Sequence, residues 1–313
     1  MKFHPCFLAP LLLLAACKPS GEMTMGPLSL SSSAPKQGET IAIQYHADSS
    51  KLAGDSDLSG TLYYVVKGFL NAKDLPLADS GGVWHGTFVL PDSADAFALK
   101  FSAGDQTDSN AGKGYIFPAY QKPGQPVAGA LASEALFYNG MGAHFLGLKP
   151  NPDTVLVLIK RDMTENPRIS NDWQGKYLIA LLAAKKDLAY QTIQQQIGKM
   201  LDGDSLQEND YMTAIYLYDR MKMTSRADSL RQVTARKYPH GFTQQQDMLG
   251  VLVKQKNVDS MVILYDRFKQ EFSTSDPFSR TGNIESMMLS QIANAYAAQK
   301  EYGKVIQYGS LNP

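Results

Sequence analysis

The chain has 313 residues, 44% of them hydrophobic, and its 30 basic and 30 acidic side chains cancel to no net charge. This hydrophobic share is ordinary for globular protein and allows real cores. At ~150 residues per domain the length corresponds to about two domains. No basic stripe breaks the charge balance, so nucleic acid is not an expected partner.

The first element is a leader. Lys2 precedes an apolar stretch from about Phe7 to Ala16, ending in Leu14-Ala15-Ala16-Cys17. That stretch is shorter than the about 20 residues a membrane-spanning helix needs, and Pro5 and Pro10 oppose a stable helix. Its Leu-Ala-Ala-Cys ending resembles the lipobox of bacterial lipoproteins. The resemblance implies cleavage after residue 16, lipid on the Cys17 thiol and an envelope, periplasm-facing location anchored by that lipid. Lys18 follows the cysteine and no Asp stands there, which by analogy with known sorting signals favours the outer over the inner membrane. Cys6 would leave with the leader, so the mature chain would have no free thiol and no disulfide.

Residues 17–35 are small, polar and rich in Pro and Gly and read as a flexible tether, although Leu28 and Leu30 fit a first strand. The region 36–165 reads as an antiparallel β-sandwich of Ig-like topology with a connector. Ile41, Ile43 and Tyr45 alternate with polar neighbours, as do Trp84, Gly86, Phe88 and Leu90, then Phe97, Leu99 and Phe101. Such alternation predicts one buried and one wet face. Leu62–Val66 is a continuous apolar run, and Tyr115–Phe117 reads as a closing strand. Residues 130–138 predict a short helix, and Thr154–Ile159 a strand or core-packed connector. Asp105, Asp108 and Asn110 fall in one short loop and are candidate oxygen ligands for Ca²⁺. Their spacing fails the EF-hand pattern, and the competing reading is a hairpin loop whose Asx side chains cap their own backbone.

Over 171–313 the period becomes helical. Tyr211, Ala214, Ile215 and Tyr218 share a face, Val258 to Phe272 form a long stripe, and Ile284, Met287, Met288, Ile292 and Ala295 form another. Four short turns centre on Lys186, Lys222, Lys256 and Lys300, separated by 36, 34 and 44 residues. A spacing near 34 resembles tetratricopeptide-type helix hairpins. Tyr216 lies off the Tyr211/Tyr218 face and is the candidate exposed binding residue. Two turns of helix after Glu301 leave Val305 and Ile306 poorly covered, so the natural polypeptide is expected to continue or to dock a partner there.

No catalytic constellation emerges. The histidines are solitary and not at metal-ligand spacing, and no Gly-x-Ser-x-Gly elbow or phosphate loop is present. No cofactor is expected.

The order of parts resembles a group of bacterial envelope lipoproteins that carry a lipobox, an Ig-like sandwich, a helical region and a C-terminal thioredoxin-like domain. Pro35-Lys36-Gln37-Gly38-Glu39, Trp84-His85-Gly86-Thr87-Phe88, Asp108-Ser109-Asn110 and Gly112-Lys113-Gly114-Tyr115 carry that resemblance, with Ala128-Gly129-Ala130 and Ala132-Ser133. It implies that these residues are a non-catalytic front portion, since the redox Cys-x-x-Cys of that family is absent. The leading expectation is therefore a lipid-anchored binding or scaffolding module with a protein or peptide partner. The alternatives are the front of a thiol-disulfide oxidoreductase whose thioredoxin-like domain lies beyond residue 313, and a glycan-binding lipoprotein.

Overall fold

The structure, a computed structural model, describes residues 21–203, 206–272 and 279–311. Residues 1–16, expected as a leader, lie outside the described residues, as do Cys17 and Lys18. Antiparallel sheets occupy residues 23–126 and helices follow over 130–309, β then α as expected. The chain divides into two compact units between Ala180 and Leu181.

In the first unit, one sheet has the order β1 (Met23–Met25), β2 (Leu28–Leu30), β3 (Thr40–His46), β7 (Val83–Val89), β6 (Leu77–Ser80). The second runs β10 (Tyr115–Pro118), β8 (Ala94–Ala103), β4 (Ser59–Val66), β5 (Phe69–Leu75), with β9 (Gln106–Asp108) paired to β8. β11 (Tyr120–Lys122) and β12 (Gln125–Pro126) form a separate ribbon. Strands already begin at Met23, so ordered structure starts well inside the stretch expected as tether. Leu28 and Leu30 are both buried there against the core.

β3 shows strict alternation, with Ile41, Ile43 and Tyr45 buried. They meet Leu62, Phe97, Leu99, Phe101 and Phe117 from the other sheet in a β-sandwich-like core. β8 departs from the expected one-sided pattern. Phe97, Leu99 and Phe101 face that core, while Ala96 and Ala98 are also fully buried, on the opposite side. Ala96 and Ala98 cluster with Val65, Ile116, Phe137, Ala143 and Leu146. Alanine there lets helical segments approach the sheet closely, so a residue pattern that suggests a wet face forms a second buried layer.

That layer is built by α1 (Ala130–Ala135), a 3-10 turn over Leu136–Tyr138, and α2 (Gly140–Phe145). α3 (Pro152–Glu165) replaces the strand or connector expected at Thr154–Ile159. Its start signals explain the difference. Asn151 accepts a hydrogen bond from the Thr154 amide at 3.1 Å, and Pro152 takes the first turn, where its missing N–H costs nothing. Trp173, on α4 (Ser170–Lys185), packs with Ala132, Ala135, Val155 and Ile159.

In the second unit, α5 (Tyr190–Leu201) precedes three helix pairs: α6 (Glu208–Arg220) with α7 (Thr224–Lys237), α8 (Phe242–Val253) with α9 (Val258–Glu271), and α10 (Arg280–Ala298) with α11 (Tyr302–Gly309). Phe268, Met288, Leu289 and Ile292 are fully buried in the core of the last two pairs. The turn lysines have a defined role. Lys186, Lys222 and Lys300 adopt positive φ of 48°, 59° and 63°. At Lys222 the Met223 amide donates to the Tyr218 carbonyl at 2.8 Å and the Lys222 amide to Asp219 at 2.9 Å. At Lys300 the Glu301 amide donates to Tyr296 and the Lys300 amide to Ala297, both at 3.0 Å. Both are Schellman closures with lysine in the left-handed position glycine usually takes. The turn at Lys256 differs, because Asn257 instead caps α9 through the Asp259 amide at 2.7 Å.

Two helices are capped from outside their own sequence. α1 opens after Gly129 and α8 after Gly241, and neither glycine offers a side-chain cap. Asp162 of α3 accepts from the Gly129 amide at 3.2 Å and the Ala132 amide at 2.9 Å. Glu208, the first residue of α6, accepts from the Phe242 amide at 2.9 Å and the Thr243 amide at 2.8 Å. Each carboxylate satisfies donors that a helix start leaves open. Glycine also leaves room for the visitor: a Cβ at 241 would stand 2.3 Å from Glu208 Oε1.

Candidate functional site

A concavity lies between α8 and α10, with a volume of about 550 Å³. One wall is a single face of α8, formed by Phe242, Gln246, Leu249, Gly250 and Val253. The facing wall is the stripe Arg280, Asn283, Ile284 and Met287 of α10, and Lys254 closes one end. Both stripes follow i, i+3, i+4, i+7 spacing, which puts residues on one side of a helix. The size falls within the range of ligand clefts.

Gly250 lies in the α8 wall of the groove. A glycine inside a helix costs about 1 kcal/mol relative to alanine, and close packing usually explains one. Here an added Cβ meets nothing within 4 Å, so packing does not require it. Val253 and Met287, on the two rims, remain 53% and 54% exposed. Met287 thus leaves the core stripe to which its periodicity assigned it. The two charged lining residues, Lys254 and Arg280, are both cations. The Arg280 guanidinium lies over the Phe242 ring at 5.6 Å. The walls carry amides, cations and apolar groups, so this surface offers a ligand apolar contact and hydrogen-bond donors.

The sequence-nominated residues lie elsewhere. Tyr216 is 46% exposed on α6, while Tyr211 and Tyr218 are buried. Asp105 sits exposed in the β8–β9 turn. Asp108 points inward, where its Oδ2 accepts from the Tyr45 hydroxyl at 2.7 Å and the Tyr115 hydroxyl at 2.5 Å. Its Oδ1 takes the Asn110 amide at 3.0 Å, and the Asn110 side-chain amide donates to the Gly114 carbonyl at 3.0 Å. Burial foremost, with Asp108 adding, pushes both tyrosine hydroxyls above their usual range, so they remain donors. Among the described residues no group of three or more His, Cys, Asp or Glu is placed to hold a metal ion. No described helix is long and apolar enough to cross a membrane.

One further titratable group is displaced. Glu134 on α1 is largely buried, which pushes its carboxyl from 4.5 up to about 7, against the opposing pull of Arg161. Burial, and Glu134 itself, raise the nearby Tyr120 and Tyr138 hydroxyls.

The chain matches no protein-family model, no curated protein and no solved structure. The groove went unseen in sequence because its walls come from separate helices. Gly250, between Leu249 and Leu252, was the local sign of it.

Proposed function

We propose that this chain is a lipid-anchored protein of the bacterial envelope, held by Cys17 and favouring the outer membrane, whose helical hairpins bind a protein or peptide segment without catalysis. The α8–α10 groove carries this reading: it is concave, mostly apolar and rimmed by exposed Val253 and Met287. The resemblance of the turns to tetratricopeptide-type hairpins supports the reading, since stacked hairpins of that type serve as binding surfaces. The Ig-like assignment of the sheets and the lipobox belong to the same proposal.

A photo-crosslinking residue placed at Met287 in living cells tests the binding role, with Ile263, 67% exposed on α9, as control position. A discrete adduct from 287 that is absent from 263 is expected. Equal labelling at both positions, or none at either, refutes it. Metabolic labelling with palmitate tests the anchor: incorporation into the wild type and not into Cys17→Ser is expected, and an unlabelled wild type removes it.

A further inference from the structure

We infer that the lysine-centred turns of the helical unit form one edge that docks on an anionic lipid bilayer, independently of the α8–α10 groove and of any lipid on Cys17. The turns are far apart in sequence and the fold brings them together. Glu208, first in α6, reaches the Phe242 and Thr243 amides at the start of α8 at 2.9 and 2.8 Å. The guanidinium of Arg280, first in α10, lies 5.6 Å from the Phe242 ring. So α6, α8 and α10 start level. Short turns reverse the chain between packed helices, and two reversals leave each of these helices running the same way as the next. They therefore end on one side, and the turns at Lys222, Lys256 and Lys300 share it. With 13 and 12 residues, α6 and α8 end about 20 and 18 Å from that start, and the 19 residues of α10 reach about 9 Å further. The Lys186 turn joins the same edge, because Tyr190, which opens α5, interacts electrostatically with Arg220, which ends α6.

Charge and exposed apolar surface coincide on this edge. Lys186, Lys222, Lys254, Lys256, Lys300 and Lys304 are exposed, and among the described residues none of them is held in an ion pair. The carboxylates of the same turns are Asp187, Asp219, Asp259 and Glu301, and Asp219 is already paired with Arg231. A chain with no net charge thus gathers an excess of cations on one side. Apolar side chains stand out between them: Leu188 is 92% exposed beside Lys186, Val253 53% beside Lys254, and Tyr302 65% between Lys300 and Lys304. That combination fits a bilayer interface. Ammonium groups meet lipid phosphates on flexible stems, leucine and valine enter the acyl boundary, and a tyrosine ring sits at headgroup level. A soluble polyanion would use the cations and leave Leu188 in water. Each lysine close to an anionic surface is worth roughly fivefold in association, and the attraction fades within a Debye length.

Vesicle binding by the full chain tests this. Cys17→Ser is present throughout, so no lipid on that thiol contributes, and every variant shares residues 1–20, so differences between variants read the edge. The vesicles are phosphatidylcholine alone or mixed with phosphatidylglycerol. Tighter association with the mixed vesicles is expected, lost at high salt. Combining Lys222→Gln, Lys256→Gln and Lys300→Gln should weaken it about 100-fold, and the three Lys→Arg changes should leave it intact, with circular dichroism confirming that each variant is folded. A second readout locates the contact. Leu188→Trp should be quenched by brominated lipid in the mixed vesicles, whereas Arg236→Trp, in the last turn of α7 at the opposite edge, should not. Trp84 and Trp173, buried in the other unit, supply a constant background. A glutamine triple that binds like the wild type overturns the inference, as does equal quenching at 188 and 236. Charge-dependent association with Leu188→Trp left unquenched also overturns it, and marks the edge as a surface for polyanions rather than for a bilayer. None of these outcomes bears on the crosslink from position 287, so the groove and the edge fail separately.

Discussion

Replacing Asp162 tests the internal architecture of the first unit most directly. The carboxylate is 1% exposed and accepts three hydrogen bonds: two from the α1 amides at Gly129 and Ala132, and one from the Asn166 side chain at 2.8 Å. Hydrogen bonds to a charged acceptor contribute about 1.5–3 kcal/mol each, and an orphaned buried donor costs about 1–3 kcal/mol. Asp162→Ala strands two buried backbone amides at a helix start and opens a small void. The expected loss is about 3–5 kcal/mol, a large part of the 5–15 kcal/mol that holds a typical domain together. Asp162→Asn keeps one acceptor oxygen and the shape, and should lose about 1–2 kcal/mol. The readout is unusually clean because both tryptophans, Trp84 and Trp173, lie in this unit. Urea unfolding followed by tryptophan fluorescence therefore reports on it selectively. If Ala and Asn variants unfold together within about 1 kcal/mol of wild type, Asp162 is not the cap of α1.

Glu208→Ala should cost about 1–2 kcal/mol in the helical unit, followed by far-ultraviolet circular dichroism during urea unfolding. Gly241→Ala should cost about the same by evicting the Glu208 carboxylate, and the double variant should be no worse than either single one; additive losses would sink the shared mechanism. Lys222→Gly and Lys300→Gly should each stabilise by up to about 1 kcal/mol by relieving a left-handed non-glycine residue, whereas Lys256→Gly, whose φ is not positive, should not. A gain at 256 equal to that at 222 would refute the assignment. For Glu134 the folded carboxyl titrates near 7, above its ordinary 4.5. The folded state thus holds the extra proton between those values, and stability falls as pH rises through that window, by about 3 kcal/mol at most. Melting temperature against pH should fall less steeply for Glu134→Gln than for wild type; parallel curves would remove the effect.

Much of the backbone was legible in the sequence, because it rests on near neighbours. Ile41, Ile43 and Tyr45 announce β3 by alternation alone, and the lysine-centred turns announce where helices reverse. Legibility failed where the determinant is distant. The alanine face of β8 looks like a half-wet strand until the residues after 130 cover it. Thr154–Ile159, rich in β-branched residues, suggests a strand, and Asn151-Pro152 just before it outweighs that preference. Gly129 and Gly241 look like plain turn residues, because the carboxylates that serve them stand 33 residues later and 33 residues earlier in the chain. The groove is hardest to read, since neither of its helices is unusual by itself.

The Glu208 contact also limits how the helical unit can be rearranged. Glu208 opens one hairpin and plugs the bare glycine mouth of the next, which makes the joint between them keyed, like a connector that mates in one order. At the start of α10, Ser279 caps its own helix by accepting from the Gly282 amide at 3.0 Å. A hairpin exchanged or inserted between α7 and α8 must therefore bring both plug and socket with it.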